Sequence, residues 1–575
     1  MRYKTGTGIL RVFLTAVLFI FFLAGSVFAE ETYPQDIRSL PSGDYSGNVI
    51  ILHSNDVHGA IDGYAKIAAL RAIYESLGAE VILADAGDFS QGGPSVNLSS
   101  GESAVSMMNA AGYTVATIGN HDFDFGYDVL KKNLAEANFT VICANVLEGG
   151  SPILPPYTLY TAASGRKIGF FGLDTEESKT KANPTKTIGL TFLGKKEMYE
   201  CAAAQTAALR EQGADLVIAL THLGVNEEST REGNSSLDLY NNTQGIDYII
   251  DGHSHTVMTE GTKGERVQST GTKFQYIGVL EIDADGKISD HYLVDCAVVP
   301  PFTGTEDAEK AKGPGAELSR EAEEAEKNAA VKTAEEEAGA IEQKVKEIYN
   351  EKVAVSETEF DGSREANRSM ETNSGDLATD ALLWYLRKDP SALKVGLDHT
   401  LAVINGGGIR AGIPKGDVTK LDINTVFPFG NTVVIKYITG EDLLEMLEAS
   451  TYIAPELVGG YPQTAGIQFT LDTTKEFDSG DVYPGSTYHR PNSIRRVTVE
   501  SVNGQPFRTE DTYAVAVNDF MAAGGDTFFV LAGADGYDTG IPLDELLIQY
   551  IGEELKGVLS EEKYGAPRGD QTIIK

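Results

Sequence analysis

The chain has 575 residues, 42% of them hydrophobic and 23% charged, with 61 glycines. That composition excludes a fibrous or disordered chain, and the length exceeds one compact core, giving two to four domains at ~150 residues each. A net charge of −37 repels a large polyanion, so nucleic-acid binding is excluded as the main activity; a small anion stays possible beside clustered arginines or metal ions.

The first 29 residues read as an export signal. Arg2, Lys4 and Arg11 form a basic head, Val12 to Ala24 is apolar apart from Thr15, and Val27-Phe28-Ala29 offers small residues for cleavage. Retention as an anchor is the alternative, although the apolar run is shorter than the ~20 residues a span needs. The expected location is therefore outside the cytoplasm (periplasm, medium or cell surface), with no stable membrane insertion once the signal is removed. Cys143, Cys201 and Cys296 allow at most one disulfide.

From Asn48 to about Tyr276, short apolar runs alternate with stretches of helical period. The runs begin at Asn48, Glu80, Tyr113, Phe139, Lys167, Asp215 and Asp247; the helical stretches include 66–77, 127–137 and 196–212. Strands without polar alternation are buried on both faces, which predicts an α/β domain with helices covering its sheets. Residues 317–350 are rich in Ala, Glu and Lys, with apolar positions three and four apart. This predicts a solvated connecting helix about 50 Å long, preceded by a loop at Gly313-Pro314-Gly315; a coiled-coil dimer seam is the sharper alternative. A second domain follows Val353, with helices at 376–387 and 441–450 and strands starting at Thr400, Thr432, Ile494 and Tyr513.

The chemistry-bearing residues fall just after the buried runs. Asp56 and His58 follow the first, Asp85 and Asp88 the second, Asn120 and His121 the third; His222 follows Val217-Ile-Ala-Leu, and His253 and His255 follow Tyr248-Ile-Ile. Carboxyl ends of strands in α/β sheets share one rim, so these residues are expected to converge. Asp, Asn and His without Cys favour divalent ions such as Mn, Zn, Co or Fe, and seven such ligands exceed the need of one ion but suit two. His53, His291, His399 and His489 lie outside the pattern and read as structural or exposed.

Ser54-Asn-Asp-Val-His-Gly59, Gly87-Asp88, Gly119-Asn-His-Asp-Phe-Asp-Phe-Gly126, Thr221-His222 and Gly252-His-Ser-His255 resemble the motif series of the calcineurin-like metallophosphoesterases, in the 5′-nucleotidase / UDP-sugar hydrolase branch. Asn373-Ser-Gly-Asp, Asn405-Gly-Gly-Gly-Ile-Arg410, Phe427-Pro-Phe-Gly-Asn431 and Gly524-Gly-Asp526 are similar to that family's nucleotide-recognition domain. The resemblance spans about Asn48 to Lys575. It implies a four-layer α/β/β/α metallophosphoesterase domain joined by a long helix to a second α/β nucleotide-recognition domain, with boundaries at 1–29 (signal), 30–304 (catalytic), 305–352 (helical acidic linker) and 353–575 (recognition).

Residue by residue, the resemblance implies that Asp56, His58, Asp88 and His255 hold one divalent ion and that Asp88, Asn120, His222 and His253 hold the other, Zn, Mn or similar. His121 and Asp124 match the catalytic dyad. Arg364, Arg368 and Arg410 match residues that grip phosphate or sugar, Phe429 and Phe520 the aromatics that sandwich the base, and Asn405 and Asp526 polar contacts to base or ribose. One departure stands out: where the family shows Asn-Gly-Gly-Asp-Gly followed by an aromatic, this chain has Ala523-Gly-Gly-Asp-Thr-Phe528, and Thr527 is less free than Gly to take positive φ. The implied activity is hydrolysis of nucleoside 5′-monophosphates by a monomer or weak dimer whose halves rotate about the connecting helix. The alternatives are a UDP-sugar, nucleoside di- or triphosphate or 2′,3′-cyclic-nucleotide hydrolase of the same fold, and, outside enzymes, an inactive nucleotide-binding surface module.

Overall fold

The computed structural model describes residues 33–302 and 320–575. The proposed signal and the Gly313-Pro314-Gly315 loop lie outside the described residues. Among the described residues no helix is long and apolar enough to cross a membrane.

The apolar runs of the N-terminal half become the strands of two sheets. One is seven-stranded and centred on Val49–Ser54 and Glu80–Asp85; the other is six-stranded and centred on Lys167–Asp174, Leu216–His222 and Tyr248–Asp251, which pair in parallel. Each strand faces two cores because alternate side chains point to opposite sides. Val49 and Ile51 join Ile82, Phe170, Ile218 and Ile250 between the sheets. Ile50 and Leu52 pack outward on the helices Gly63–Ser76 and Glu102–Ala111, while Phe171, Val217 and Ile249 pack outward on Lys195–Glu211. The result is the expected α/β/β/α stack. The antiparallel hairpin Tyr276–Ile282 with Ile288–Asp295, which extends the first sheet beyond Val49–Ser54, was not among the predicted strands. Its turn carries Asp285-Gly286, a hairpin signature.

The expectation of one long solvated linker helix is corrected. Two helices, Arg320–Ala325 and Ala329–Tyr349, meet at a break where the Asn328 side chain caps the second. Ala322, Ala325, Val331, Ala334, Ala338 and Ile341 are buried in the same core as the first helix layer. Their stripe is filled by Gly63–Ser76 and Glu102–Ala111, because alanines let helix backbones approach closely. The apolar seam thus belongs to the N-terminal half, with Ser106 Oγ donating to Glu337 at 2.8 Å beside it.

The C-terminal half is built on a five-stranded sheet containing Thr400–Asn405, Thr432–Thr439 and Thr512–Asn518. Ala402 and Ile404 face the helices Asn373–Lys388 and Leu543–Glu553; Leu401 and Val403 face Gly440–Ser450 and a second, four-stranded sheet.

Candidate active site

Seven ligand candidates converge at the strand ends. Asp56 Oδ1 lies 3.8 Å from His58 Nε2, 3.4 Å from His255 Nε2 and 3.9 Å from His222 Nε2. Asp88 Oδ2 lies 3.7 Å from His58 Nε2 and 3.1 Å from His222 Nε2. His253 Nδ1 sits 2.8 Å from Asn120 Oδ1. Asp56, His58 and His255 form one compact donor group and Asp56, Asp88 and His222 another, so Asp56 is more central than the sequence reading placed it. Asp85 is not in the cluster: it accepts from Ser54 Oγ at 2.6 Å and Gly87 N–H at 2.9 Å, bracing the turn that delivers Asp88.

The backbone is bent to achieve this. Asp56, His58, Asp88, His253 and His255 all have positive φ, between 45° and 77°, a region that costs non-glycine residues energy and marks functional sites. Gly119 lets the ligands close: a Cβ there would stand 2.4 Å from Asp88 Oδ1 and 2.6 Å from His222 Nε2.

The donor set fits divalent cations. His58 and His222 donate their Nδ1 protons to the carbonyls of Gln91 (3.1 Å) and Ala86 (2.7 Å), which leaves Nε2 lone pairs facing inward; His222 Nε2 is buried without a hydrogen-bond partner. His253 donates Nε2–H to Glu177 at 3.1 Å, so its Nδ1 lone pair faces the Asn120 amide oxygen, two acceptors that repel unless a cation lies between them. Burial holds His58 and His255 well below the ordinary imidazole value, the neutral form a ligand needs.

Beside the cluster, His121 Nδ1 donates to Asp124 Oδ2 at 2.7 Å, and the His121 N–H donates to Asp88 Oδ1 at 2.8 Å. Arg364, Arg368 and Arg410 reach the same small cavity from the C-terminal half. Burial lowers the Arg364 pKa well below its usual value, with repulsion from Arg368 and Arg410 adding to it; three crowded cations call for an anion. A larger cavity of about 320 Å³ runs from His121 and Asp124 to Phe429, Phe520 and Asp526. Phe429 stacks on His121, ring centroids 5.5 Å apart, and Arg410 lies 5.4 Å from the Phe429 ring centre.

Residues 50–257 match the model of calcineurin-like phosphoesterases, and residues 351–533 match that of the 5′-nucleotidase C-terminal domain. The chain belongs to the 5′-nucleotidase family of metallophosphoesterases. It is therefore a hydrolase of the metallophosphoesterase type. A 5′-nucleotidase of Vibrio vulnificus is 27% identical over 92% of this chain and 94% of its own. The trifunctional nucleotide phosphoesterase protein YfkN of Bacillus subtilis is 29% identical over 88% of this chain, which spans only 34% of that longer relative. The crystal structure of a 5′-nucleotidase precursor from Thermus thermophilus superposes with a TM-score of 0.72 at 26% identity, covering 92% of this chain and 99% of the other.

Against the family pattern, the departure at Ala523-Gly-Gly-Asp-Thr-Phe528 is accommodated locally. Positive φ falls at Gly524 (91°) and Asp526 (47°), not at Thr527, and Gly525 clears the Phe520 ring, which a Cβ would approach to 2.4 Å. Asn405 lines the larger cavity, but its amide is engaged internally: it donates to Asp526 Oδ2 and accepts from Asn518, both at 3.0 Å.

Three supporting residues were given no role in the sequence reading. Glu177 orients His253 and follows the strand Lys167–Asp174 as the ligands follow theirs. Asp122 accepts from Asp88 N–H (3.0 Å), Ser90 N–H (2.9 Å) and Gly119 N–H (2.8 Å), tying two ligand loops together, and it lies inside the Asn-His-Asp-Phe motif. Asn55 donates to Asp56 Oδ2 at 2.6 Å. His53, His399 and His489 instead hydrogen-bond Gln268, Asp511 and the Gly480 carbonyl away from the cluster, and His291 packs edge-on against Tyr248.

Proposed function

We propose that this protein is an exported 5′-nucleotidase that cleaves nucleoside 5′-monophosphates to nucleoside and phosphate. The observation that carries the reading is one continuous cleft. His121, Arg368 and Arg410 line both cavities; the smaller also holds Asp88, Asn120, His253 and His255, and the larger adds Asp124, Phe429 stacked on His121, Phe520 and Asp526. Asp56, His58, Asp88 and His255 would hold one divalent ion and Asp88, Asn120, His222 and His253 the other; the Asp88 carboxylate, with His58 on one side and His222 on the other, supports its bridging role. Bound there, the ions would supply Lewis acidity and activation of water for attack on phosphorus.

The chain's own groups do the rest. Arg364, Arg368 and Arg410 bind phosphate oxygens and neutralise an anion that the acidic protein otherwise repels. His121, its Nδ1 fixed by Asp124, keeps Nε2 for the phosphoryl group and stabilises charge that builds there and on the departing nucleoside oxygen. Phe429 and Phe520 offer ring faces to the base, and stacking tolerates any base because each has a π-face. Since residues of both halves line the cleft, substrate enters and product leaves by relative rotation of the halves. The basic head and apolar run before Glu30 support export, and the mass of the N-terminus of protein recovered outside the cytoplasm checks it.

The test is phosphate release from AMP, ADP, UDP-glucose and 2′,3′-cyclic AMP, before and after chelation. AMP should show the highest kcat/KM, with activity lost to chelator and restored by divalent ions. A preference of about tenfold or more for an anhydride or diester, more than one lost contact accounts for, moves the protein to the alternative hydrolases of the same fold. Nucleotide binding by metal-replete protein without phosphate release makes it a binding module.

A further inference from the structure

The ligand candidate His253 is held from behind by a buried polar relay that crosses from one half of the molecule to the other. Its Nε2–H donates to Glu177 Oε2 at 3.1 Å, and Glu177 Oε1 accepts the Ser229 hydroxyl at 2.9 Å. Glu177 caps the short helix Ser178–Lys181, in which the Lys181 N–H donates to the Glu177 carbonyl at 2.7 Å. The Lys181 ammonium then donates to both carboxylate oxygens of Glu228, the chain neighbour of Ser229, at 3.0 Å. All these residues belong to the N-terminal half. The C-terminal half supplies Tyr488, at the end of the loop that joins Ser479–Val482 to His489–Pro491. Its hydroxyl donates to Glu228 at 2.7 Å, and its ring centre lies 5.6 Å from the Lys181 ammonium. Glu177, Glu228 and Tyr488 are each no more than 5% exposed, so bulk water does not replace a partner removed from the relay.

We propose that Tyr488 is a positioning residue for the metal centre. With the halves together it fixes Glu228, and through Lys181, Ser229 and Glu177 it fixes the His253 ring, so a divalent ion between His253 Nδ1 and Asn120 is held more tightly in the closed cleft than in the open one. The proposal rests on the two-ion assignment made under the nucleotidase reading. A carboxylate behind a ligating imidazole sets its tautomer and orientation; here that carboxylate is braced by a residue of the other half. By linkage, the ion in return favours closure. In the donor group of Asp56, His58 and His255, His58 is instead braced within its own half, by the Gln91 carbonyl at 3.1 Å, so the dependence falls on one ion of the two. Because the Tyr488 hydroxyl reaches Glu228 only with the halves together, whatever ion affinity it contributes belongs to the closed arrangement.

The experiment strips the full-length protein of metal, titrates it with Mn²⁺ in the absence of substrate and reads the free ion by electron paramagnetic resonance. The unmodified protein should bind two ions. Tyr488→Phe, which keeps the ring beside Lys181 and removes only the hydroxyl, should weaken one ion about fivefold or more and leave the other within about twofold. Glu177→Ala should weaken the same ion about tenfold or more, and Glu177→Gln, which keeps an amide oxygen for His253, should lose less. With Glu177→Ala in place, adding Tyr488→Phe should have no further effect, because the relay is already cut. Unchanged affinity in Tyr488→Phe overturns the proposal. So does a loss shared equally by both ions, or one that adds in full to that of Glu177→Ala, the marks of a hydroxyl that only holds the fold together. Fewer than two ions on the unmodified protein overturns the two-ion assignment itself and the relay with it, so the two failures are distinguishable.

Discussion

Five metal-ligand candidates, Asp56, His58, Asp88, His253 and His255, hold left-handed backbone without being glycine, at about 1 kcal/mol or more each. They persist because hydrogen bonds over-determine them: His253 N–H donates to both oxygens of Asp56, and His58 N–H to the Asp88 carbonyl. The His121 side chain stands outside that lattice on its Asp124 anchor, and the bond it gives Asp88 comes from the main-chain N–H, so the ring can be removed without dismantling the cluster. His121→Ala should lower kcat by about 10² or more, the scale of a lost proton donor or charge stabiliser, while metal content measured on the same preparation stays at the unsubstituted level. Metal content falling in step with activity would reassign His121 from chemistry to scaffold. The ligands themselves were legible because each ends a run too apolar to be anything but a buried strand. Glu177 was not, since a glutamate after such a run looks like any loop acid until His253 is seen against it.

At the scale of elements, the helix Ala329–Tyr349 shows what periodicity conveys and what it omits. The spacing of Val331, Ala334, Ala338 and Ile341 identified a helix with one apolar face, but nothing local says whether that face meets solvent, a second copy or the chain's own first helices. Tertiary packing decides, and here the partners are Gly63–Ser76 and Glu102–Ala111. Ala334 is fully buried and Lys332 exposed. Ala334→Leu should therefore cost about 1–3 kcal/mol through overpacking, whereas Lys332→Leu should stay within about 0.5 kcal/mol, both read from urea unfolding midpoints. Equal effects would return this helix to solvent. The buried parallel strands of the N-terminal half were legible up to Asp251 for the same reason their ends were, whereas the half-exposed antiparallel strand Tyr157–Thr161 was not. The hairpin that extends the first sheet was missed although its turn carries the sequence signature, because Tyr276–Ile282 is a short apolar run that periodicity alone does not assign to a strand and Ile288–Asp295 begins largely polar and partly exposed.

Across the whole molecule, the halves meet over the cleft largely through polar contacts, among them Asn183 Nδ2 on Asp519 at 3.1 Å, Thr180 Oγ1 3.5 Å from Thr487 Oγ1, Tyr488 on Glu228 and Asn97 on the Pro428 carbonyl, beside the stack of Phe429 on His121. Such contacts suit repeated making and breaking better than a dry apolar interface. Cysteines introduced as Thr180→Cys and Thr487→Cys and joined by a short bis-methanethiosulfonate crosslinker, which forms a disulfide at each end with release of sulfinate, should cut steady-state turnover at least about tenfold if each cycle needs opening, with single-turnover phosphate release from preloaded substrate less affected. Full turnover with the link in place would show that the cleft exchanges ligands without opening. Among the described residues, the sheets of the N-terminal half use none beyond Asp295 and those of the C-terminal half none before Lys352, so the described polypeptide passes from one body to the other once, near Asn350. Each body is consequently a contiguous stretch of gene, the first complete on the ribosome before the second emerges. A crossover at that codon would graft a new reader of leaving groups onto an unchanged engine for breaking phosphate esters.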